Sequence, residues 1–157
     1  GVYNNPTNYT IAGCTGATIA SRNGGDITTI ASGTATLDYS DLSNIAFTYS
    51  APVTVTWNNN DITGSGKSFS KGGVTLTAGS IDFDEKNFEE NGTFTTTLGN
   101  FTKIEVVATN GFCDVSGTGW SGNEVKRTWT GNASSVSFVG DIYGDGNGIK
   151  FVFTIEP

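Results

Sequence analysis

Ile149-Lys150-Phe151-Val152-Phe153-Thr154-Ile155-Glu156 puts Ile149, Phe151, Phe153 and Ile155 on one face and Lys150, Val152, Thr154 and Glu156 on the other. This period of two is that of a strand with one side in a core. The same alternation runs through Phe94, Thr96 and Leu98, through Ile104, Val106 and Ala108, and through Val136 and Phe138, with Trp129 in phase with such a face. Together these stretches predict stacked antiparallel strands sharing one core of Phe94, Ile104, Val106, Trp129, Phe138, Phe151, Phe153 and Ile155.

Outward from there, turn-formers recur at the spacing of about 8 to 12 residues expected of a β-sandwich. The predicted fold is all-β: an antiparallel sandwich, immunoglobulin-like or jelly-roll-like, with no helix of useful length. Towards the N-terminus, Ala35, Leu37 and Tyr39, then Ile45, Phe47 and Tyr49, then Val53, Val55 and Trp57 mark three further strands, and Arg22-Asn-Gly-Gly-Asp26 reads as a hairpin turn. The turn-rich Asn58-Asn-Asn-Asp61 and Gly64-Ser-Gly66 predict a boundary, giving an N-terminal β-rich region over 1–62 and a sandwich over 63–157. Gly1 to Thr10 is polar, uncharged and interrupted by Pro6. It reads as an extended arm that docks on a surface, its own or a neighbour's, with Val2, Tyr3 and Tyr9 as candidate assembly contacts.

Composition agrees with the pattern. With 36% hydrophobic residues, 15% charged residues and 22 glycines, the chain resembles neither a disordered acidic tail nor a helical bundle. A net charge of −7 with scattered Lys and Arg repels a phosphate backbone, so no nucleic-acid partner is expected. No apolar run approaches the roughly 20 residues of a membrane-spanning helix, so no membrane insertion is expected. The opening residues show no signal-peptide pattern, as in a mature or excised chain.

Chemistry is sparse. There is no histidine, hence no Ser-His or Cys-His pairing, and a non-enzyme is expected. Asp82, Asp84, Glu85, Glu89 and Glu90 offer carboxylates, but on one loop they read as a solvated face rather than the flanking pair of a glycosidase. Asp141, Asp145 and Asn147 stand in a Gly-rich loop as candidate Ca²⁺ ligands, although turn formation alone accounts for Asp-Gly-Asn-Gly; no other cofactor is expected. Cys14 and Cys113, the two cysteines, are either a disulfide joining the N-terminal third to the sandwich or two buried thiols. Trp57 and Trp129 fall in phase with core positions. Trp120 lies among small residues in Ser116-Gly-Thr-Gly-Trp-Ser-Gly-Asn123, with no strand face to hide on. With Asn123 and Tyr143 it is a candidate glycan- or partner-binding platform.

Gly73-Val-Thr-Leu-Thr-Ala78, Gly92-Thr-Phe-Thr-Thr-Thr-Leu-Gly-Asn-Phe-Thr-Lys-Ile-Glu-Val106, Gly117-Thr-Gly-Trp-Ser-Gly122, Thr128-Trp-Thr-Gly-Asn-Ala-Ser-Ser-Val-Ser-Phe138 and Phe153-Thr-Ile-Glu-Pro157 resemble a module that recurs in surface and secreted proteins of gut and rumen bacteria. The resemblance covers about residues 66–157. It implies an extracellular, non-catalytic β-sandwich and carries over no catalytic or binding residues. The expectation is a structural or adhesive protein of the bacterial surface, the building block of a filament or adhesin, whose partners are its own copies or other surface proteins. The alternative is a carbohydrate-binding module of a secreted glycan-degrading system.

Overall fold

The computed structural model describes residues 7–10, 17–23, 26–31, 34–37, 46–146 and 148–157, with side chains from Ser50 on. The fold is all-β: among the described residues the one helical segment is the single turn Asn59–Asp61. No helix there is long and apolar enough to cross a membrane. Two compact units divide between Pro52 and Val53.

In the first unit β1 (Thr7–Thr10) pairs with β4 (Thr34–Leu37), placing Tyr9 opposite Ala35. β2 (Ala17–Asn23) lies between β3 (Asp26–Ala31) and β5 (Ala46–Tyr49), with Asn23 opposite Asp26; the two glycines of the expected hairpin turn lie outside the described residues. The Thr7–Thr10 part of the expected arm is thus a strand paired within its own chain, because its β-branched and aromatic residues can complete a two-stranded ladder there. Val2 and Tyr3 lie outside the described residues.

The second unit is the sandwich. One sheet runs β12 (Trp120–Gly122), β13 (Lys126–Ala133), β10 (Asn100–Ala108), β16 (Ile149–Glu156), β6 (Val53–Asn58). The other runs β11 (Phe112–Cys113), β15 (Ile142–Tyr143), β9 (Asn87–Thr96), β8 (Val74–Asp82), β7 (Ser68–Lys71), and β14 (Ser135–Phe138) also pairs with β9. All pairings are antiparallel. The division between units therefore falls before the turn-rich Asn58–Gly66 stretch, not within it. The boundary expected after residue 62 groups Val53–Asn58 with the N-terminal region, whereas it is an edge strand of the sandwich, bonded along β16 with Trp57 opposite Phe151. Turn residues mark where the chain reverses, and strand pairing decides to which unit it belongs.

Local chemistry explains the joints. Gly72 and Gly73, both at positive φ (65° and 81°), connect Lys71 to its partner Val74, the two-residue turn whose twist matches that of the strands it joins. In β9 the register with β8 slips between Ala78 and Ser80, and Glu90 and Asn91 take φ of 64° and 67°. This bulge lies where β9 exchanges one neighbour for another, β15 at Phe88 and β14 at Gly92. Gly92 is needed beside it: a Cβ there would meet the Phe138 ring at 2.5 Å.

Between the sheets the alternating residues form one buried cluster, including every core position expected above. Phe153 is fully buried, with ring centroids at 4.7 Å from Trp57, 5.5 Å from Phe94 and 5.8 Å from Phe101. Phe153→Ala is expected to cost about 3–5 kcal/mol, read as a lower denaturant midpoint at unchanged slope; a loss under about 1 kcal/mol would place the ring outside the core.

Candidate functional site

Trp120 opens β12 directly opposite Trp129, in a row that continues through Ile104 and Phe153 to Val55. Residues directly opposite share a face, so the row fixes Trp120 on the inner face of an edge strand rather than on a loop. It is half-buried, 6.2 Å from Phe94 and 6.1 Å from Phe138 by ring centroids, and its indole N–H donates to the Ser137 carbonyl at 3.0 Å. Trp57 mirrors it at the opposite side of the sandwich. From edge strand β6 its indole N–H donates to the Lys71 carbonyl of β7 at 3.0 Å, beside a Lys71–Asp61 ion pair of 2.6 Å. Each side is thus clasped by a tryptophan that hydrogen-bonds an edge strand of the facing sheet.

The three residues expected to form a shallow glycan platform do not converge. Asn123 closes the β12–β13 hairpin, its Oδ1 accepting from the backbone N–H of Val125 (2.9 Å) and Lys126 (3.0 Å). Tyr143 pairs with Asn87 at one end of β9, whereas Trp120 leans on Phe94, seven positions along that strand, roughly 20 Å away at the rise of a strand. Tyr143 faces outward in a row with Phe112 and Asn87, its ring 6.3 Å from Phe112.

The loop after β14 carries structural hydrogen bonds. Asp141 Oδ1 accepts from the Glu90 N–H in the β9 bulge (2.9 Å), and the Asp141 N–H donates to Asp114 Oδ1 (2.7 Å). Asn87 Oδ1 accepts from Gly144 (3.1 Å) and Asp145 (3.3 Å). Asp141 thereby supplies an acceptor that the bulge takes from β8, and Asp145, at φ 49°, shapes the turn. Asn147 lies outside the described residues, and among those residues no three Asp, Glu or Cys side chains gather as a metal site. Of the other acids, Asp82 Oδ1 caps the turn by accepting from Asp84 (3.0 Å) and Glu85 (3.1 Å). Lys86, a buried charged residue, donates its ammonium to the Ile62 carbonyl. Cys113 is a free thiol with no exposure, and burial pushes its pKa up. Cys14, on which the choice between a disulfide and two buried thiols depends, lies outside the described residues.

A pattern that the sequence did not announce comes from register. On the outer face of the six-stranded sheet, Ser70, Thr75, Thr95 and Ser135 form one cross-strand row, and Ser68, Thr77, Thr93 and Ser137 form the next. Hydroxyls are thus set side by side, with Ser70 and Thr75 at 2.6 Å and Thr93 and Ser137 at 3.1 Å. These two rows are uncharged in a chain of net charge −7. Comparison with protein-family models, curated proteins and solved structures finds no match to the chain.

Two outcomes are expected at these residues. Trp120→Ala should lower stability by about 2 kcal/mol or more through lost packing, and Trp120→Phe by about 1 kcal/mol through the lost Ser137 bond; thermal melts with no change for either would place the indole in solvent. Tyr143 is pushed up to about 12, first by the hydrogen bond to the Glu89 carboxylate and then by desolvation and the charge of Asp141. A raised folded value means that this bond stabilises below the unfolded tyrosine value, about 10, and is lost as pH rises through about 12. In a near-ultraviolet titration, compared with a Tyr143→Phe variant to assign the step, Glu89→Gln should bring the Tyr143 step to lower pH; an unmoved step would exclude that bond.

Proposed function

We propose that this chain is a non-catalytic structural or adhesive module of the bacterial surface, a building block that works by presenting faces and strand edges to partners. The observation that carries this reading is where the tryptophans point. Trp57, Trp120 and Trp129 all lie on inward-facing positions, two of them clasping the sides of the sandwich, while the outer face of one sheet carries two adjoining rows of hydroxyls.

The supports are chemical. The carboxylates of Asp61, Asp82, Asp114 and Asp141 accept backbone N–H bonds in turns and at the bulge, a scaffold role. The sequence resemblance to bacterial surface modules implies the compartment and the class of host. A carbohydrate-binding module has less to stand on: a sugar ring needs an aromatic face open to solvent, and Trp120 turns its ring to Phe94 and Phe138.

Sedimentation velocity and negative-stain microscopy of the purified chain, run beside a glycan array, test the reading. Concentration-dependent self-association without glycan binding is expected. A chain that stays monomeric at high concentration and binds a glycan with a Trp120-dependent signal would overturn it.

A further inference from the structure

The edges of the sandwich differ in how they resist strand addition. β7 carries Lys71 and follows Lys67; β11 has two residues and β12 three, one of them Gly122; β14 has four, with its Ser137 carbonyl taken by Trp120. Charge, brevity or an occupied carbonyl discourages pairing at each. β6 has none of these. Val53-Thr54-Val55-Thr56-Trp57-Asn58 is uncharged, rich in β-branched residues and free of proline, and among the described residues it pairs on one side only, with β16.

The direction of its backbone groups can be read from neighbouring bonds. The Ile149 N–H of β16 reaches across to Asn59 Oδ1 at 3.5 Å, whereas the Asn58 N–H turns to Asp61 Oδ2 at 2.8 Å. On the far side of β16 the Thr154 carbonyl accepts from Thr102 Oγ1 on β10. Since successive residues of a strand direct their N–H and C=O to opposite sides, those of Val53, Val55 and Trp57 face β16. Those of Thr54 and Thr56 face outward.

We propose that the β6 edge is the contact between two copies of this chain, paired antiparallel about a two-fold axis at Val55, which joins two five-stranded sheets into one of ten. This deepens the assembly reading above, on which it rests, by naming the partner and the edge. Inner residues must meet inner residues, and the hydrogen-bonded pairs must come from the outward-facing groups. Thr54 opposite Thr56 meets both conditions and makes four backbone bonds across the axis. In that register the next outward pair is Asn58 with Pro52. Proline has no N–H, and the Asn58 N–H is already held by Asp61, whose carboxylate is kept ionised by the Lys71 hydrogen bond and by that same N–H. The ladder thus ends without leaving a donor unmatched. A register shifted by one pair, with Thr56 opposite itself, would set the capped Asn58 opposite Thr54 and lose a bond at each end. The strand is also uncharged in a chain of net charge −7, so two copies meet here without like charges in contact. A six-residue edge is smaller than the roughly 1,000 Å² of a stable interface, and the pairing is accordingly concentration-dependent. It is closed, so a filament needs a second, different contact.

The test uses the full chain. Val55→Cys sets two thiols directly opposite at a non-hydrogen-bonded site, about 4.5 Å apart between Cα atoms, within disulfide range. A reductant-sensitive dimer above the unsubstituted background is expected, with far less from Thr56→Cys, which faces Thr54 and not itself. Thr56→Pro removes an outward N–H without touching the ladder to β16 and should weaken self-association by about tenfold or more with an unchanged circular dichroism spectrum. If proline disturbs that spectrum, Thr54→Lys takes its place, bringing a charge to the same edge with the same weakening expected. No excess crosslinking by Val55→Cys, or crosslinking by Thr56→Cys to the same extent, overturns the register and the proposal. Association that persists undiminished in Thr56→Pro or Thr54→Lys overturns the β6 edge and leaves the assembly reading standing; an unsubstituted chain that never associates removes both.

Discussion

The packing of Phe151 and Phe153 against the facing sheet is the contact on which the rest of the sandwich depends. β16 lies between β10 and β6, and its two inward rings touch residues from both layers: Phe88 and Phe94 from β9, Phe101 from β10 and Trp57 from β6. Burying one phenylalanine is worth roughly 1.5–3 kcal/mol, so this cluster alone is comparable with the whole net stability of a typical domain. Small residues are set around the aromatic ones in consequence. Gly92 lies under the Phe138 ring, and Gly119 and Gly131 lie close to the Trp129 ring.

Closure of the two open sides follows from the same requirement. A sandwich of two sheets leaves its core visible between the edge strands, and a large side chain with a polar end can cover that gap while satisfying a backbone carbonyl. Trp57 and Trp120 do so from opposite sides of one sheet, bonding to Lys71 and Ser137 of the other. Rings committed to closure in this way turn inward, Trp120 towards Phe94 and Phe138 and Trp57 towards Phe69 and Phe153.

The loops obey a similar economy of donors and acceptors. The β9 bulge frees the Glu90 N–H, Asp141 accepts it, and Asn91 Oδ1 accepts from Gly140 in return. Asp141 and Asn123 looked like ligand-binding groups because Asp and Asn in Gly-rich loops have the right chemistry for ions and sugars. The same chemistry makes them caps of turns, and which role they fill depends on the nearest unsatisfied backbone group, in these cases on β9 and at the start of β13.

By itself the sequence determined the all-β class, the turns and the core list, because alternation at a period of two fixes which side chains share a face whatever the strand pairs with. It also determined that histidine chemistry is absent. Only the tertiary structure decided which strands are neighbours, and with that the place of the division between units, the inward turn of Trp120, the separation of Trp120 from Tyr143, the rows of Ser and Thr on one outer face and, among the described residues, the unpaired side of β6. The physical reason is that alternation is a local property, written in residues two apart. Pairing is not local: β6 meets β16 across nearly the whole sandwich sequence, and β14 meets β9 only after the chain has crossed to the other sheet and back twice. Those choices rest on how the buried faces fit together, which no single stretch of the chain contains.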